Sequence, residues 1–466
     1  MGALYFLLHP NQLKAVIQWK LWHEPVHKRN PATEAPTLQS CFKFLDLTSR
    51  SFSAVIQELN PELLVPITLF YLVLRGLDTI EDDLTIDLEK KEPLLRKFNE
   101  HMIVDGWTFD GNGPDEKDRE LLVHFDDVVV ELKKIKKEYF DIINDITIQM
   151  GNGMADYALN AEFNTNGVAS IKDYEKYCHY VAGLVGDGLT RIFVQAQLAN
   201  DRLLQRPNLT ESMGQFLQKT NIIRDIREDF DVGRRWWPKE IWSQYADSFP
   251  ELMDPKNRTK AVQCLNHMVL NSLKHVEECL FYMAAIRDQS VFNFVAIPQS
   301  MAIATLELCF NNPTVFDKNV KITKGDACNL MTQSTQNLQL VCQVFKKYVR
   351  RIHQKNDPRD PNYLAISLQC GRIEQFIETV FPRQTPERAL KSFQNKDMAE
   401  MQGMDVWDGL MLMAVVVGAM IFIAALMIGA AYVANIYFTK WYPEDTIQLG
   451  QSVVSNVVQE IVHEEL

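Results

Sequence analysis

The chain has 466 residues, of which 47% are apolar, and it carries a formal net charge of −12. This length suits one large domain or two to three ordinary ones. Because the acidic balance leaves no broad basic face for a phosphate backbone, we exclude nucleic acid as a partner. The eight cysteines form no CxxC pair, and scattered single cysteines are typical of small buried residues in a reducing compartment.

Apolar residues recur every three or four positions through the first 385 residues, which is the spacing of one buried helix face. Clear examples run from Leu121 to Ile135 and from Phe140 to Met150. Most prolines, including Pro93 and Pro298, are expected to stand between such stretches, and alternating runs typical of strands are rare. The sequence therefore predicts an all-α protein in which residues 1–385 form one large catalytic domain.

The most informative feature is a DxxED motif that occurs twice, each time after an apolar stretch. The first copy follows FYLVLRGL and the second follows FLQKTNIIR, and their carboxylates are Asp78, Glu81, Asp82, Asp225, Glu228 and Asp229. Positions i, i+3 and i+4 share a helix face, so each copy presents three carboxylates together. Like charges at that spacing repel, which predicts a bound cation. Mg²⁺ fits, since it combines one or two carboxylates with phosphate oxygens.

A single DxxED motif is ordinarily a solvated helix edge. Two copies, each beside an arginine (Arg75 and Arg224) and each at the end of an apolar run, favour a diphosphate site instead. A substrate held there by its diphosphate would lay a hydrocarbon tail along the helices. Departure of the diphosphate leaves an allylic carbocation, which survives only where water is excluded. The residues therefore predict a prenyl-transfer site at the mouth of an apolar bundle.

The C-terminal tail has a separate role. Residues 409–439 contain no Asp, Glu, Lys or Arg over 31 positions, which exceeds the roughly 20 residues that a helix needs to cross a bilayer. The aromatic residues at its far end are Tyr432, Tyr437, Trp441 and Tyr442, as at a membrane interface. A buried core helix is the alternative, but such helices usually keep a polar edge. We predict a linker at 386–405, one transmembrane helix at 406–439 and a short tail at 440–466 across the membrane.

Seven stretches resemble the squalene and phytoene synthase family. They are LTSRSFSAVIQEL (47–59), FYLVLRGLDTIEDD (70–83), YCHYVAGLVGDGL (177–189), LQKTNIIRDIREDF (217–230), GRRWWP (233–238), QSVFNFVAIPQSMAIATL (289–306) and VKITKGDA (320–327). The resemblance implies an all-α isoprenoid-synthase bundle with a central cavity, and Mg²⁺ and NADPH as cofactors. It implies that two farnesyl diphosphates are joined head to head to presqualene diphosphate, which is then reduced and rearranged to squalene. It also implies anchoring in the endoplasmic reticulum membrane, with the catalytic domain in the cytosol.

The resemblance also assigns roles to individual residues. The six motif carboxylates would bind the Mg²⁺–diphosphate units, and four of them would take part directly in catalysis: Asp78, Asp82, Asp225 and Asp229. The residues that would hold the diphosphates are Arg50, Arg75, Arg224 and Arg234. Guanidinium suits that task because it is always charged and forks onto phosphate oxygens. Tyr177 matches a tyrosine of the first half-reaction, and Phe294 matches an aromatic residue of the second.

The NADPH site follows from the resemblance alone, because the sequence has no GxGxxG motif after a strand. Lys321 and Lys324, within VKITKGDA, are the candidates for contact with the cofactor's phosphates. Arg227 stands in the second motif where an uncharged residue is common in the family, and it either neutralises the motif or points outward. Protein partners stay unassigned.

Three other functions are compatible with parts of the sequence. A phytoene synthase, which omits the reduction, would share both motifs, but the anchor, VFNFVAIPQ and VKITKGDA favour squalene formation. A non-catalytic, tail-anchored scaffold would need no paired carboxylates. A metal hydrolase is disfavoured because no histidines cluster near either motif.

Overall fold

A computed structural model of the chain describes residues 9–160 and 167–382, together with residues 418, 425–430 and 432–433. The chain divides into two compact units, Met1–Pro382 and Arg383–Leu466. The boundary between the units lies close to the end of the catalytic domain predicted from the sequence. The architecture below is that of the first unit.

The first unit is built from helices joined by short connections. Its helices are α1 (Pro10–Trp22), α2 (Pro36–Thr48), α3 (Arg50–Ile56), α4 (Pro61–Asp82), α5 (Leu88–Arg96), α6 (Phe98–His101), α7 (Arg119–Val123), α8 (Phe125–Leu132), α9 (Lys137–Leu159), α10 (Ile171–Cys178), α11 (Leu184–Gln195), α12 (Pro207–Arg224), α13 (Ile226–Asp231), α14 (Lys239–Trp242), α15 (Arg258–Leu273), α16 (Val276–Met283), α17 (Gln289–Cys309), α18 (Lys324–Ser334), α19 (Leu338–Lys355) and α20 (Tyr363–Val380). A π-turn, His179–Gly183, joins α10 to α11, and short 3₁₀ turns lie at Pro31–Thr33, Asp201–Gln205, Phe249–Leu252, Pro255–Asn257 and Pro313–Phe316. Over the described residues the only β pairing is an isolated bridge between Ala199 and Ile286, so the all-α prediction is confirmed.

Helix α4 carries the first acidic motif at its C-terminal end. It begins at Pro61, and the side chain of Asn60 accepts a hydrogen bond from the backbone N–H of Glu62 at 3.0 Å, a common helix start. Most of its remaining residues are apolar and buried. Helix α4 packs against α9, which packs against α11, and α12 packs against α11, α16 and α17. These helices surround the candidate site.

Two details of the sequence prediction were wrong. The stretch from Leu121 to Ile135 forms two short helices, α7 and α8, with a break at His124, and Ile135 lies beyond the second. Pro93 and Pro298 lie inside α5 and α17 rather than between helices. A proline removes one helix hydrogen bond, and α17 continues through Pro298 because most of its residues are buried in the bundle, where tertiary packing supplies the helix's stability.

Two helices of the described part, α4 and α17, are long and apolar enough to cross a membrane. Both are mostly buried inside the bundle, so they form its core. The transmembrane segment predicted at 406–439 lies mostly outside the described residues. Its described residues are helical, and Leu426, Met427 and Ile428 expose large apolar side chains.

Candidate active site

An apolar cavity of ≈ 280 Å³ is lined mainly by helices α4, α11, α12 and α17. Its apolar lining includes Phe70, Leu74, Val185, Phe193, Met213 and Phe294. Of the described residues in its wall, only Arg75 and Asp78 are charged. Because these two residues are one helical turn apart near the C-terminal end of α4, the cavity has a charged end.

The π-turn at residues 179–183 forms part of the cavity wall through Val181 and Ala182. Helix α12 approaches it at backbone distance, since a Cβ on Gly214 would lie 2.4 Å from the Ala182 carbonyl oxygen. Any larger residue at position 214 would push α12 away. π-turns are frequent at functional sites, and this one shapes the cavity opposite the first acidic motif.

Two carboxylates of the first motif, Asp78 and Glu81, are partly buried, whereas Asp82 is exposed. Burial raises the pKa of Asp78 to about 7, against the opposing effect of Arg75, whose Nη1 lies 3.7 Å from Asp78 Oδ2. Burial also raises the pKa of Glu81 to about 8, and repulsion from Asp82 adds to it. The C-terminal end of a helix is an unfavourable place for negative charge. At Asp78 and Glu81, the nearby positive charge therefore does not offset the effect of burial.

Asp83, the next residue, has a different role. Despite its burial, its pKa falls to about 2 because hydrogen bonds stabilise the charged form. The donors are the backbone N–H and hydroxyl of Thr85, the Asn112 amide and the backbone N–H of Gly113, at 2.6 to 2.9 Å. With these contacts Asp83 fixes the loop after α4.

One arginine and one amide hold two carboxylates of the second motif. Arg224 forms a two-point ion pair with Asp225, at 2.7 and 2.5 Å. The Asn319 amide donates to Asp225 at 2.6 Å and to Glu228 at 2.8 Å, which holds these two carboxylates together. Asn319 lies 94 residues from Asp225, and the sequence offered no periodic signal that would connect them.

Asp229 is the exception within the second motif. Burial raises its pKa to about 7, and repulsion from Asp225 and Asp82 contributes in the same direction. Arg227 points away, because it pairs with Asp231 and stacks over Phe230. Of the two alternatives for Arg227, the structure therefore favours the outward position.

Arg234 connects the two motifs. Its guanidinium pairs with Asp82 at 2.8 Å, and its backbone N–H donates to the Asp229 carbonyl at 2.8 Å. Its charge also lowers the pKa of Asp229. The two DxxED motifs, far apart in sequence, therefore lie close together around one arginine.

Tyr177 lies beside this arginine rather than in the wall of the apolar cavity. Its ring stacks on Trp236, with centroids 4.1 Å apart, and Tyr157 packs edge-on at 5.2 Å. Burial keeps its pKa well above the ordinary value, and the charges of Glu81 and Asp82 add to this effect. The phenol is therefore neutral at physiological pH and able to donate a hydrogen bond.

Phe294 and its neighbour Phe292 differ in position. Phe294 lies in the cavity wall and contacts the rings of Phe52 and Phe193, at 6.4 and 6.0 Å between centroids. Phe292 is buried outside the described wall. Pro298, one turn after Phe294, also lies in the wall.

The remaining predicted residues lie at the edges of the site. Arg50 is the first residue of α3, and its side chain is not among those that the structure describes. Lys321 and Lys324 are exposed, two and five residues after Asn319. Sequence reasoning also missed Asp118, a buried acid whose Oδ2 lies 3.9 Å from Arg75 Nε.

The donor set suits Mg²⁺ better than a transition metal. In the described part of the chain, no three His, Cys, Asp or Glu side chains converge as a ready-made metal centre. Mg²⁺ does not require one, because it keeps several waters and binds one or two carboxylates together with substrate phosphates. The carboxylates short of positive charge, Asp78, Glu81 and Asp229, are the groups that such a cation would stabilise.

Comparison with known proteins identifies the family. Residues 45–326 match the squalene/phytoene synthase family. A probable squalene synthase of Neurospora crassa is 63% identical over 475 residues, covering 100% of this chain and 99% of the relative. The squalene synthase of Saccharomyces cerevisiae is 50% identical over 387 residues, covering 83% and 87%. A solved structure, the complex of TcSQS with the ligand E5700, is 42% identical with a TM-score of 0.70, covering 74% of this chain and 99% of that one.

The fold and these relatives define the class of protein, and this chain is an all-α transferase. More particularly, it belongs to the squalene/phytoene synthase family. A purely structural, non-catalytic scaffold is therefore excluded.

Proposed function

We propose that this protein joins two farnesyl diphosphates head to head to form presqualene diphosphate, and then reduces that intermediate to squalene with NADPH. Full-length similarity to squalene synthases supports the proposal. The observation that carries it is the position of Asp78, a partly buried carboxylate in the wall of a mostly apolar cavity. It belongs to a motif whose Asp82 pairs with Arg234, beside the second acidic motif.

The apolar cavity provides the conditions for carbocation chemistry. When the C–O bond of the first farnesyl diphosphate breaks, the electron pair leaves with the diphosphate and an allylic cation remains. The double bond of the second substrate attacks this cation, and loss of a proton closes the cyclopropane. Water would capture the cation, so the apolar lining protects it.

Tyr177 and Phe294 are suited to different half-reactions. The neutral phenol of Tyr177, between Trp236 and the first motif, would orient a diphosphate oxygen or relay the departing proton. The ring of Phe294, in the cavity wall, would stabilise the cation that forms when presqualene diphosphate loses its diphosphate.

The six carboxylates of the DxxED motifs would hold Mg²⁺. Bound there, the metal would neutralise the charge that develops on the leaving diphosphate. Arg50, Arg75, Arg224 and Arg234 would contact the diphosphate oxygens. Arg75, Arg224 and Arg234 lie near motif carboxylates in this structure, so part of that contact would replace existing ion pairs.

Lys321 and Lys324 would contact the phosphates of NADPH, whose chemistry is to supply a hydride. Their positions fit the role, since both are exposed and follow Asn319, which contacts the second motif. The C-terminal segment at 406–439 would anchor the chain in the endoplasmic reticulum membrane, with the catalytic domain in the cytosol. The exposed apolar side chains of its described helical residues support that role.

The test uses full-length protein in detergent, supplied with farnesyl diphosphate and Mg²⁺, with and without NADPH. We expect squalene only with NADPH, and presqualene diphosphate without it. Phytoene-type products regardless of NADPH would instead indicate the non-reducing branch of the family. Folded protein that releases no diphosphate under either condition would overturn the proposal.

A further inference from the structure

A second cavity, also of ≈ 280 Å³, lies beside the first acidic motif. Residues in its wall include Glu81, Lys91, Arg234, Arg235 and Trp236. The motif therefore borders two cavities, with Asp78 in the wall of the apolar one and Glu81 in the wall of this one. The described wall of the second cavity holds three cationic side chains and one carboxylate. The net charge of this wall is therefore positive, although an acidic motif borders it.

Lys91 is the most unusual residue in this wall. Only 4% of it is exposed, although it lies in the wall of a cavity. Its Nζ donates to the Glu81 backbone carbonyl at 2.8 Å, the only hydrogen bond that the described residues give it, and no described carboxylate lies within 4.0 Å. An ammonium has three donors, and the carboxylates that attract this one, Glu81, Asp83 and Asp82, act from beyond ion-pair distance. Burying it with one hydrogen bond and no direct ion pair is costly. The geometry calls for an anion in the cavity.

The other cations of the wall surround the same space. Arg234 is paired with Asp82 at 2.8 Å, so its charge is partly neutralised by that carboxylate. Arg235 adds a second guanidinium, and Trp236 supplies a flat ring that also stacks on Tyr177. Lysine and arginine together on one small cavity are typical of phosphate recognition. Carboxylate anions are smaller and would leave most of these donors unused.

We propose that this cavity is a binding site for a phosphate group, with Lys91 and Arg235 as its main ligands. It adjoins the diphosphate sites proposed above and shares Glu81 and Arg234 with them, whereas Lys91 and Arg235 have no part in those sites. Two sources could provide the group: the inorganic diphosphate that the reaction releases, or a phosphate of the NADP cofactor. This choice of sources rests on the proposed function, whereas the site itself rests on the cavity and its cations.

The test measures anion binding to the full-length protein in detergent, by calorimetry, with EDTA present so that metal-dependent binding at the motifs is absent. Inorganic diphosphate, NADP⁺ and NAD⁺ are titrated separately. Lys91→Met is compared with Lys90→Met, a matched control on the same helix whose side chain is exposed. We expect Lys91→Met to weaken binding by about tenfold or more, and Lys90→Met to leave it within about twofold.

The titrations also separate the two sources. If Lys91→Met weakens the binding of diphosphate alone, the site is assigned to the released product. If it weakens the binding of NADP⁺ but not of NAD⁺, the site is assigned to the cofactor's extra phosphate. Equal affinities of Lys91→Met and Lys90→Met for all three ligands would overturn the proposal. If Lys91→Met does not fold, Arg235→Gln and Lys91→Arg replace it, with loss expected in the first and retention in the second. Squalene formation is assayed separately, so a failure of the proposed function is recognised independently.

Discussion

The two DxxED motifs have the same spacing of carboxylates but different surroundings. In the first, Asp78 and Glu81 are partly buried near further acids, and the pKa of each is raised. In the second, Asp225 is held by Arg224 and Asn319, and the pKa of Asp229 is raised. The first motif therefore has two carboxylates with a raised pKa, whereas in the second one arginine and one amide hold two of the three carboxylates.

The two motifs can therefore be alike in the ions that they bind and still differ in their effect on the stability of the fold. Both copies offer oxygen ligands of the type that Mg²⁺ prefers. A cation should relieve more repulsion in the first, because carboxylates that are partly buried together destabilise the fold when ionised. The DxxED pattern alone does not show how strongly the carboxylates of a motif repel one another, but substitutions in each motif do.

The largest expected effect is loss of the reaction when either motif is damaged. Asp78→Asn and Asp225→Asn should each lower the rate of diphosphate release at saturating Mg²⁺ by about 10²- to 10³-fold, since each removes charge that positions the metal. The rate is measured with full-length protein by a coupled diphosphate assay. Glu89→Gln, an exposed acid on α5, is the control and should retain full activity. Near-normal activity in Asp225→Asn would restrict the metal site to the first motif.

A smaller effect is expected at Tyr177, which lies beside Arg234 and the first motif. Tyr177→Phe keeps the stacking with Trp236 but removes the hydroxyl, and should lower presqualene diphosphate formation by about 10²-fold. Conversion of supplied presqualene diphosphate to squalene should change much less. Tyr157→Phe removes the hydroxyl of the neighbouring ring, which donates to the Asp173 carbonyl, and serves as the control. Equal losses in both half-reactions would place Tyr177 outside the role proposed.

The fold and the motifs were predictable from the sequence because both depend on local spacing. Helical periodicity gave the all-α class, and the positions of Asp78 and Asp225 in DxxED gave the candidate site. Contacts between distant segments were not predictable, since nothing local in the sequence connects Asn319 to Asp225 or Trp236 to Tyr177. The uninterrupted helix through Pro298 likewise depends on burial, which overrides the local preference of proline.

Substitutions in the two motifs should change the free energy of unfolding in opposite directions. Without Mg²⁺ at pH 8, Asp78→Asn should raise the free energy of unfolding by about 2 kcal/mol, because it removes a partly buried negative charge. This figure is lower than the full pKa shift would give, because the side chain keeps some contact with solvent. Asp225→Asn should lower it by about 2 kcal/mol, because Arg224 loses a charged partner. Denaturant unfolding of the full-length proteins measures both. The same sign in both variants would contradict the comparison.

The pH dependence follows from the raised pKa of Asp78. Its folded value of about 7 exceeds the ordinary 3.8, so the folded state binds the proton more tightly. The contribution of Asp78 to stability is complete below pH 3.8 and is lost as pH rises through about 7. The difference between Asp78→Asn and the unsubstituted protein should therefore grow from about pH 4 to pH 7. Added Mg²⁺ should stabilise the unsubstituted protein more at pH 8 than at pH 6.

The smallest expected effect tests the hydrogen bonds that Asn319 donates to the second motif. Asn319→Ala removes the donor that holds Asp225 and Glu228 together, so metal-free protein should lose about 1 kcal/mol of stability. Asn319→Asp places a further carboxylate there and should cost more. Mg²⁺ should restore stability in both, because a cation between the carboxylates replaces the lost donor, and Mg²⁺-dependent unfolding curves measure this. A variant that is destabilised equally with and without Mg²⁺ would show that Asn319 supports the loop at 317–323 rather than the acidic motif.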